Sequence, residues 1–281
     1  MKRKIEVSEF SDFCFGVKRA IHLAQEALRK YPQPVFSLGP LIHNREVVTR
    51  LSDKGLRVRR DYSSIKRGTI VTRSHGIKSD VLKKIQAKRI SIVDATCPFV
   101  KNAQMITKRL AGEGYFVVIV GDKGHPEVKS LMSYSPRKVA VVANRNDASR
   151  LKVDKGKIGV VSQTTQSFKN FRNVMDELMK KKFTEIRMFN TICSDVSMRQ
   201  MAAERCSKAN EVVIVVGGRN SANTKKLREI CDKQGTSSYH IENKEEIDPK
   251  WLRGKSRIGI VSGASTPRWI VDDVVKRLKE L

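Results

Sequence analysis

Short apolar runs and amphipathic stretches alternate along this chain from one end to the other. β-rich runs ending in Gly occupy residues 35–39, 116–121 and 212–217. A second set, residues 69–74, 158–162 and 258–262, ends in Ser74, Ser162 and Ser262. A third set, 5–7, 90–93 and 186–189, leads into Cys14, Cys97 and Cys193. After each of these cysteines the period changes to that of a helix, as in Val17, Ala20, Ile21, Ala24 and Leu28. Strands alternating with helices predict parallel sheets with helical cover.

The pattern repeats three times. Each unit opens with Cys-x-x-Val at Cys14, Cys97 and Cys193, and the Gly that ends the next strand follows 25, 24 and 24 residues later. Four residues past that Gly stand His43, His125 and Ser221. The strand-ending serines lie 60, 65 and 69 residues after their cysteines. The strand that would close the third unit is the first strand of the chain. The expected architecture is α/β, with three pseudo-threefold-related lobes at 15–96, 97–192 and 193–281 plus 1–14. In such sheets ligands bind beyond the carboxyl ends of the strands, so the three sets of polar residues are expected to face a common centre.

Composition narrows the reading. The chain has 281 residues, 40% apolar and 30% charged, which supports packed cores and excludes a collagen-like or disordered chain. No apolar run approaches the roughly 18 residues of a membrane span. The start Met1-Lys2-Arg3-Lys4 is basic, but Glu6, Glu9 and Asp12 interrupt any signal core, so no secretory signal is expected. Five scattered cysteines fit thiols or metal ligands in a reducing cytoplasm better than a disulfide framework. The net charge of +27 raises nucleic acid as a partner. The charge is spread along the chain, however, aromatics are only 6%, and no nucleic-acid motif is present. An acidic protein or a polyanionic small substrate suits it as well, and no specific nucleic acid is expected.

Three distant cysteines at equivalent strand ends could hold a [4Fe–4S] cluster with one iron open to a substrate oxygen. A zinc site with three Cys and one His is the competing chemistry. Helix N-termini after each Cys favour thiolates and anions. Cys206 and Cys231 lie within helical patterns and read as structural thiols. His43, His75 and His125, with Ser221, Asn223 and Ser265, form a donor set suited to a diphosphate. His22 and His240 occupy no repeat position. Glu127, two residues past His125, is the one carboxylate expected in this basic centre.

The strings Phe13-Cys14-Phe15-Gly16-Val17-Lys18-Arg19-Ala20, Gly39-Pro40-Leu41-Ile42-His43-Asn44, Arg73-Ser74-His75-Gly76 and Asp94-Ala95-Thr96-Cys97-Pro98 resemble the 4-hydroxy-3-methylbut-2-enyl diphosphate reductase (IspH/LytB) family. So do Gly124-His125-Pro126-Glu127-Val128, Gln163-Thr164-Thr165-Gln166, Asn190-Thr191-Ile192-Cys193 and Gly263-Ala264-Ser265-Thr266-Pro267. The resemblance implies reductive removal of the allylic hydroxyl of its substrate, the last step of the non-mevalonate isoprenoid pathway, in a three-lobed α/β trefoil. It implies one [4Fe–4S] cluster on Cys14, Cys97 and Cys193 with one iron open. It places substrate contacts on His43, His75, His125, Thr164, Ser221, Ala222, Asn223 and Ser265, and the proton relay on Glu127 and Thr164. The cluster needs an electron donor, and an acidic ferredoxin or flavodoxin fits the basic surface. A hydro-lyase using an open-iron cluster without electrons is the alternative within enzymes; a basic nucleic-acid-binding protein is the alternative outside them. Two positions depart from the family pattern. Asp12 stands where Gly usually precedes Phe-Cys, and its side chain is expected to face outward. Ala222 replaces Ser or Gly but keeps its backbone N–H.

Overall fold

A computed structural model describes residues 3–88, 90–153 and 156–281. Met1 and Lys2, the first half of the basic start, lie outside the described residues. Twelve strands among the described residues form three sheets of four, and every pairing is parallel. One sheet contains β2 (Val35–Leu38), β3 (Arg57–Arg59), β4 (Thr69–Val71) and β5 (Ser91–Val93), in the order β3-β2-β4-β5. The next contains β6 (Phe116–Val120), β7 (Val139–Val142), β8 (Lys157–Ser162) and β9 (Glu185–Met188), in the order β7-β6-β8-β9. The last takes β10 (Val212–Val216), β11 (Ser237–Ile241), β12 (Arg257–Ser262) and β1 (Lys4–Val7), in the order β11-β10-β12-β1. All three share one order: second strand, first, third, then the strand that leads into a cysteine. The first strand of the chain therefore fills the fourth place of the last sheet, with Lys4 opposite Arg257.

The central strands are continuous apolar runs because both sheet faces are covered. In β10 every residue is buried. Val212, Ile214 and Val216 face α10 (Arg268–Glu280) through Ile270, Val271, Val274 and Leu278. Val213 and Val215 face the opposite layer, with Ala203 and Cys206 of α8 (Ser194–Ala209) and Leu227 and Cys231 of α9 (Ala222–Lys233). This alternation is the period-two geometry of a strand, and each fully buried Val, Ile or Leu contributes about 1.5–3 kcal/mol. The edge strands β3 and β9 mix exposed and half-buried residues.

The chain forms two compact units. One comprises the segment up to Lys18, residues His43–Val48 and Ser194–Leu281, and so holds the last sheet. The other comprises Arg19–Ile42 and Thr49–Cys193 and holds the first two sheets. No helix among the described residues is long and apolar enough to cross a membrane.

Strand register corrects one detail of the repeat. Val120 lies opposite Ser162 and Val216 opposite Ser262, while Ser37 lies opposite Val71. The next step along β2 and β4 brings Thr72, not Ser74, to the equivalent place. The following turns agree, since Gly76, Gln166 and Thr266 each donate a backbone N–H to Arg73, Gln163 and Gly263. Ser74, Thr164 and Ala264 are therefore equivalent, as are His75, Thr165 and Ser265.

Candidate active site

Each of the three cysteines ends a loop after a strand and stands immediately before a helix. Cys14 precedes α1 (Phe15–Lys30), Cys97 precedes α4 (Pro98–Gly112) and Cys193 precedes α8. Their backbone N–H groups donate to Ala264, Ser74 and Thr164, which are the three repeat-equivalent carbonyls. The same contact made three times fixes each cysteine against the end of the neighbouring strand. The Val17 N–H donates to Cys14 Sγ at 3.4 Å. Burial raises the Cys97 thiol, and the N–H groups of Phe99 and Val100 pull it back down, while Cys193 and Glu127 add a further upward push. Three thiols at helix N-termini, two of them facing helix N–H donors, fit a group that binds thiolates. None of the five cysteines is in a disulfide.

Cys206 and Cys231 have a different setting. They are 2% and 0% exposed inside the apolar layer of α8 and α9, and burial pushes both thiols up to about 12. His22 is an exposed partner of Glu26 at 3.5 Å. The His240 ring meets the Gly217 carbonyl at 2.8 Å, and burial lowers its pKa.

In the unit of the first two sheets, α5 (Pro126–Met132) is capped by His125, whose Nδ1 accepts the Glu127 N–H at 3.2 Å. The neutral ring then carries its proton on Nε2. The His75 and His125 rings meet edge to face with centroids 5.6 Å apart. Glu127 is 1% exposed. Its Oε1 accepts the Thr164 N–H at 2.6 Å and its Oε2 accepts the Thr164 hydroxyl at 2.8 Å. Burial pushes this carboxyl up to about 7, against the downward pull of both bonds from Thr164. A carboxyl so placed is part protonated at neutral pH and can donate a proton.

The raised value has a stability consequence. From pH 4.5, its ordinary pKa, to about 7, the unfolded chain has lost this proton while the folded chain keeps it. Glu127 therefore lowers stability progressively as pH rises through that window, and by a constant amount above it. For iron-free protein, thermal unfolding should show Glu127→Gln gaining on the parent from pH 4.5 to 7 and then running parallel to it.

In the other unit, the Ser265 hydroxyl donates to the His43 carbonyl at 3.0 Å. The same carbonyl lies 2.3 Å from where a Cβ on Gly218 would stand, so only glycine permits this approach. Ser221 caps α9 through the Thr224 N–H, and Ala222 is the first helical residue. Asn223 is 3% exposed, and neither its amide nitrogen nor its carbonyl oxygen has a hydrogen-bond partner. A buried carboxamide left unsatisfied is costly unless a ligand completes it. Asp12 is partly exposed, as expected for an outward side chain: Lys18 holds one oxygen at 2.8 Å and the Arg268 N–H the other at 3.1 Å. Burial would raise its pKa, but these partners and the Phe13 N–H bring it below the usual range.

Sequence reasoning did not single out the network behind Cys97. Asp94 Oδ1 accepts the Thr72 hydroxyl at 3.0 Å and the Thr96 N–H at 3.1 Å, and Oδ2 pairs with Lys101 at 2.7 Å. Arg19 donates to the carbonyls of Thr96 and Asp94 at 3.1 and 3.2 Å. The readable signal was Asp followed by Thr at i+2, a side chain bonding its own backbone. Thr165 stands in the register where His75 and Ser265 stand in the other two sheets, which the serine spacing does not show.

A family model described as LytB protein matches residues 5–279. The chain belongs to the LytB family. The match to this LytB chain extends to individual relatives over nearly the whole length. It is 46% identical to the 4-hydroxy-3-methylbut-2-enyl diphosphate reductase of Geobacter sulfurreducens, covering 99% of this chain and 97% of that protein. The reductase of the same description from Geobacter metallireducens is 45% identical, with 99% and 98% covered. Among solved structures, the E-1-hydroxy-2-methyl-but-2-enyl-4-diphosphate reductase from Plasmodium falciparum superposes with a TM-score of 0.92 at 26% identity, covering 98% of this chain and 88% of that one. A structure of (E)-4-hydroxy-3-methyl-but-2-enyl diphosphate reductase, described as the terminal enzyme of the non-mevalonate pathway, gives 0.70 at 38% identity, covering 99% and 100%. Membership of the LytB family implies an iron–sulfur cluster.

Proposed function

We propose that this chain reduces (E)-4-hydroxy-3-methylbut-2-enyl diphosphate to isopentenyl and dimethylallyl diphosphate, the last step of the non-mevalonate isoprenoid pathway. The supporting observation in the geometry is Glu127: a fully buried carboxyl, half protonated near neutral pH, hydrogen-bonded twice to Thr164 and within electrostatic reach of Cys97. A proton donor near Cys97 supports a reading in which that thiol helps to bind iron. In this reading the chain has three lobes, 15–96, 97–192 and 193–281 plus 1–14, and Cys14, Cys97 and Cys193 hold a [4Fe–4S] cluster. When bound, the cluster supplies single electrons and one iron without a protein thiolate.

The residues of the chain do the rest. His43, His75, His125, Ser221, Asn223 and Ser265 bind the diphosphate, with the Ala222 N–H as a further donor. The unpartnered Asn223 carboxamide supports this, since a phosphate oxygen would accept from it. Thr164 hydrogen-bonds the substrate hydroxyl and Glu127 passes a proton through it, so the hydroxyl leaves as water. Two electrons and a second proton complete the balance, and the carbon that receives that proton decides the product.

Anaerobically purified protein should be brown, hold about four irons per chain, and turn over only with a reductant. A colourless protein containing zinc would end this reading; dehydration without a reductant would make it a hydro-lyase. We further propose a cytoplasmic setting, which suits the reduced thiols, and an acidic electron donor such as ferredoxin or flavodoxin, with no specific nucleic-acid partner. Turnover with such a donor should fall as salt rises, more steeply than with a small uncharged reductant, because salt screens charges beyond about 8–10 Å. Equal salt slopes in steady-state rates would remove the electrostatic argument.

A further inference from the structure

The unit of the first two sheets carries a cleft of about 910 Å³ that the reaction described above does not use. It opens between α3 (Ser79–Ala87) and α4, with the loop at residues 133–136 closing one side. Ile77, Leu82, Ile92, Met105 and Tyr134 give it an apolar lining, and Lys83, Lys101 and Lys108 also line it. Met105 and Phe99, both on α4, are 44% and 40% exposed, so α4 carries apolar surface open to water.

Two features say what fits there. The first is charge. The lining carries three lysines, Lys83, Lys101 and Lys108, against two acids, Asp80 and Asp94. Asp94 is already paired with Lys101, and among the described residues neither Lys83 nor Lys108 has an acidic partner. An apolar centre with a basic rim is the anatomy of a protein interface, here one for an acidic surface. The second is position. Thr72, Asp94 and Thr96 line the same cleft, and Thr96 is covalently joined to Cys97. Their hydrogen bonds, with the two from Arg19, make this wall rigid. A protein seated here would rest against the loop that presents Cys97.

Building on the reductase reading, we propose that the α3/α4 cleft is the docking surface for an acidic one-electron carrier protein. Two reduced carriers deliver one electron each and leave oxidised; with two protons, the allylic alcohol becomes alkene and water. The charged rim sets the rate of encounter, and the apolar lining holds the carrier while the electron crosses.

The test uses iron-loaded enzyme with a reduced plant-type [2Fe–2S] ferredoxin in one arm and reduced methyl viologen in the other. Lys83→Glu with Lys108→Glu should lower ferredoxin-driven kcat/KM at least tenfold, flatten its salt dependence, and leave viologen-driven turnover within twofold. Met105→Ser, a milder change, should lower only the ferredoxin arm, by threefold or more. Lys276→Glu with Lys279→Glu, on α10, should change either arm less than twofold. An equal fall in both arms, an equal fall from the α10 pair, or no fall from the cleft variants would overturn the proposal. A parent protein inactive with viologen would instead sink the reductase reading. Calorimetric titration with oxidised ferredoxin at low salt would still decide the cleft, since the double variant should weaken binding tenfold and unchanged binding would refute it.

Discussion

Cys97→Ser should leave the chain unable to retain iron. Cys14→Ser and Cys193→Ser should do the same, each falling from about four irons to fewer than one per chain after anaerobic reconstitution. The three thiols share one local geometry, a strand end leading into a helix N-terminus with the backbone N–H tied to an equivalent carbonyl. No other cysteine can stand in for a lost one. Cys206 and Cys231 are sealed in an apolar layer and held protonated by burial. Cys206→Ala and Cys231→Ala should therefore keep their iron and acid-labile sulfide and lose only packing energy. If Cys206→Ala lost iron as completely as Cys97→Ser, the ligand assignment would be wrong.

Glu127→Gln should keep its cluster and bind substrate but turn over roughly 10²–10⁴-fold more slowly, the usual loss of a general acid. The amide is nearly the same size as the carboxyl and can still meet Thr164, so the shape of the site is kept while its proton is lost. Anaerobic rates at matched iron content decide the matter, and substrate should accumulate bound to the variant. A loss of less than about fivefold, set against that range, would mean that the proton reaches the leaving hydroxyl by another route.

The repeat was legible in the sequence because its marks are local. A cysteine before a helix, a Gly after a buried strand and a polar residue four positions on are each set by backbone requirements within a few residues. The outer strands were not. β3 is only Arg-Val-Arg, two of its three side chains exposed, and three residues show no period that separates strand from loop. β7 is half-buried for three of its four residues. The two-residue slip between Ser74 and Thr72 has the same origin: residue identity was read where register, a property of paired strands, was needed. At the site, Glu127 could be picked out as a carboxylate among basic and neutral donors. Its burial and raised pKa could not, because they depend on Thr164, brought alongside by the fold across 37 residues of sequence. The bond from Thr72 to Asp94 was hidden likewise, since it joins the ends of two strands whose adjacency the sequence leaves unstated.

The place of β1 bears on the order of events during synthesis. Its partner β12 leaves the ribosome long after it, and the Cys14 N–H bonds to Ala264, later still. A contact between segments so far apart in sequence waits until the later one has been made, and closing so long a loop slows folding further. Cys97 and Cys193 bond to carbonyls that precede them, those of Ser74 and Thr164, whereas Cys14 must wait for Ala264. Until β12 has been made, the first strand is an unpaired edge exposed to other chains.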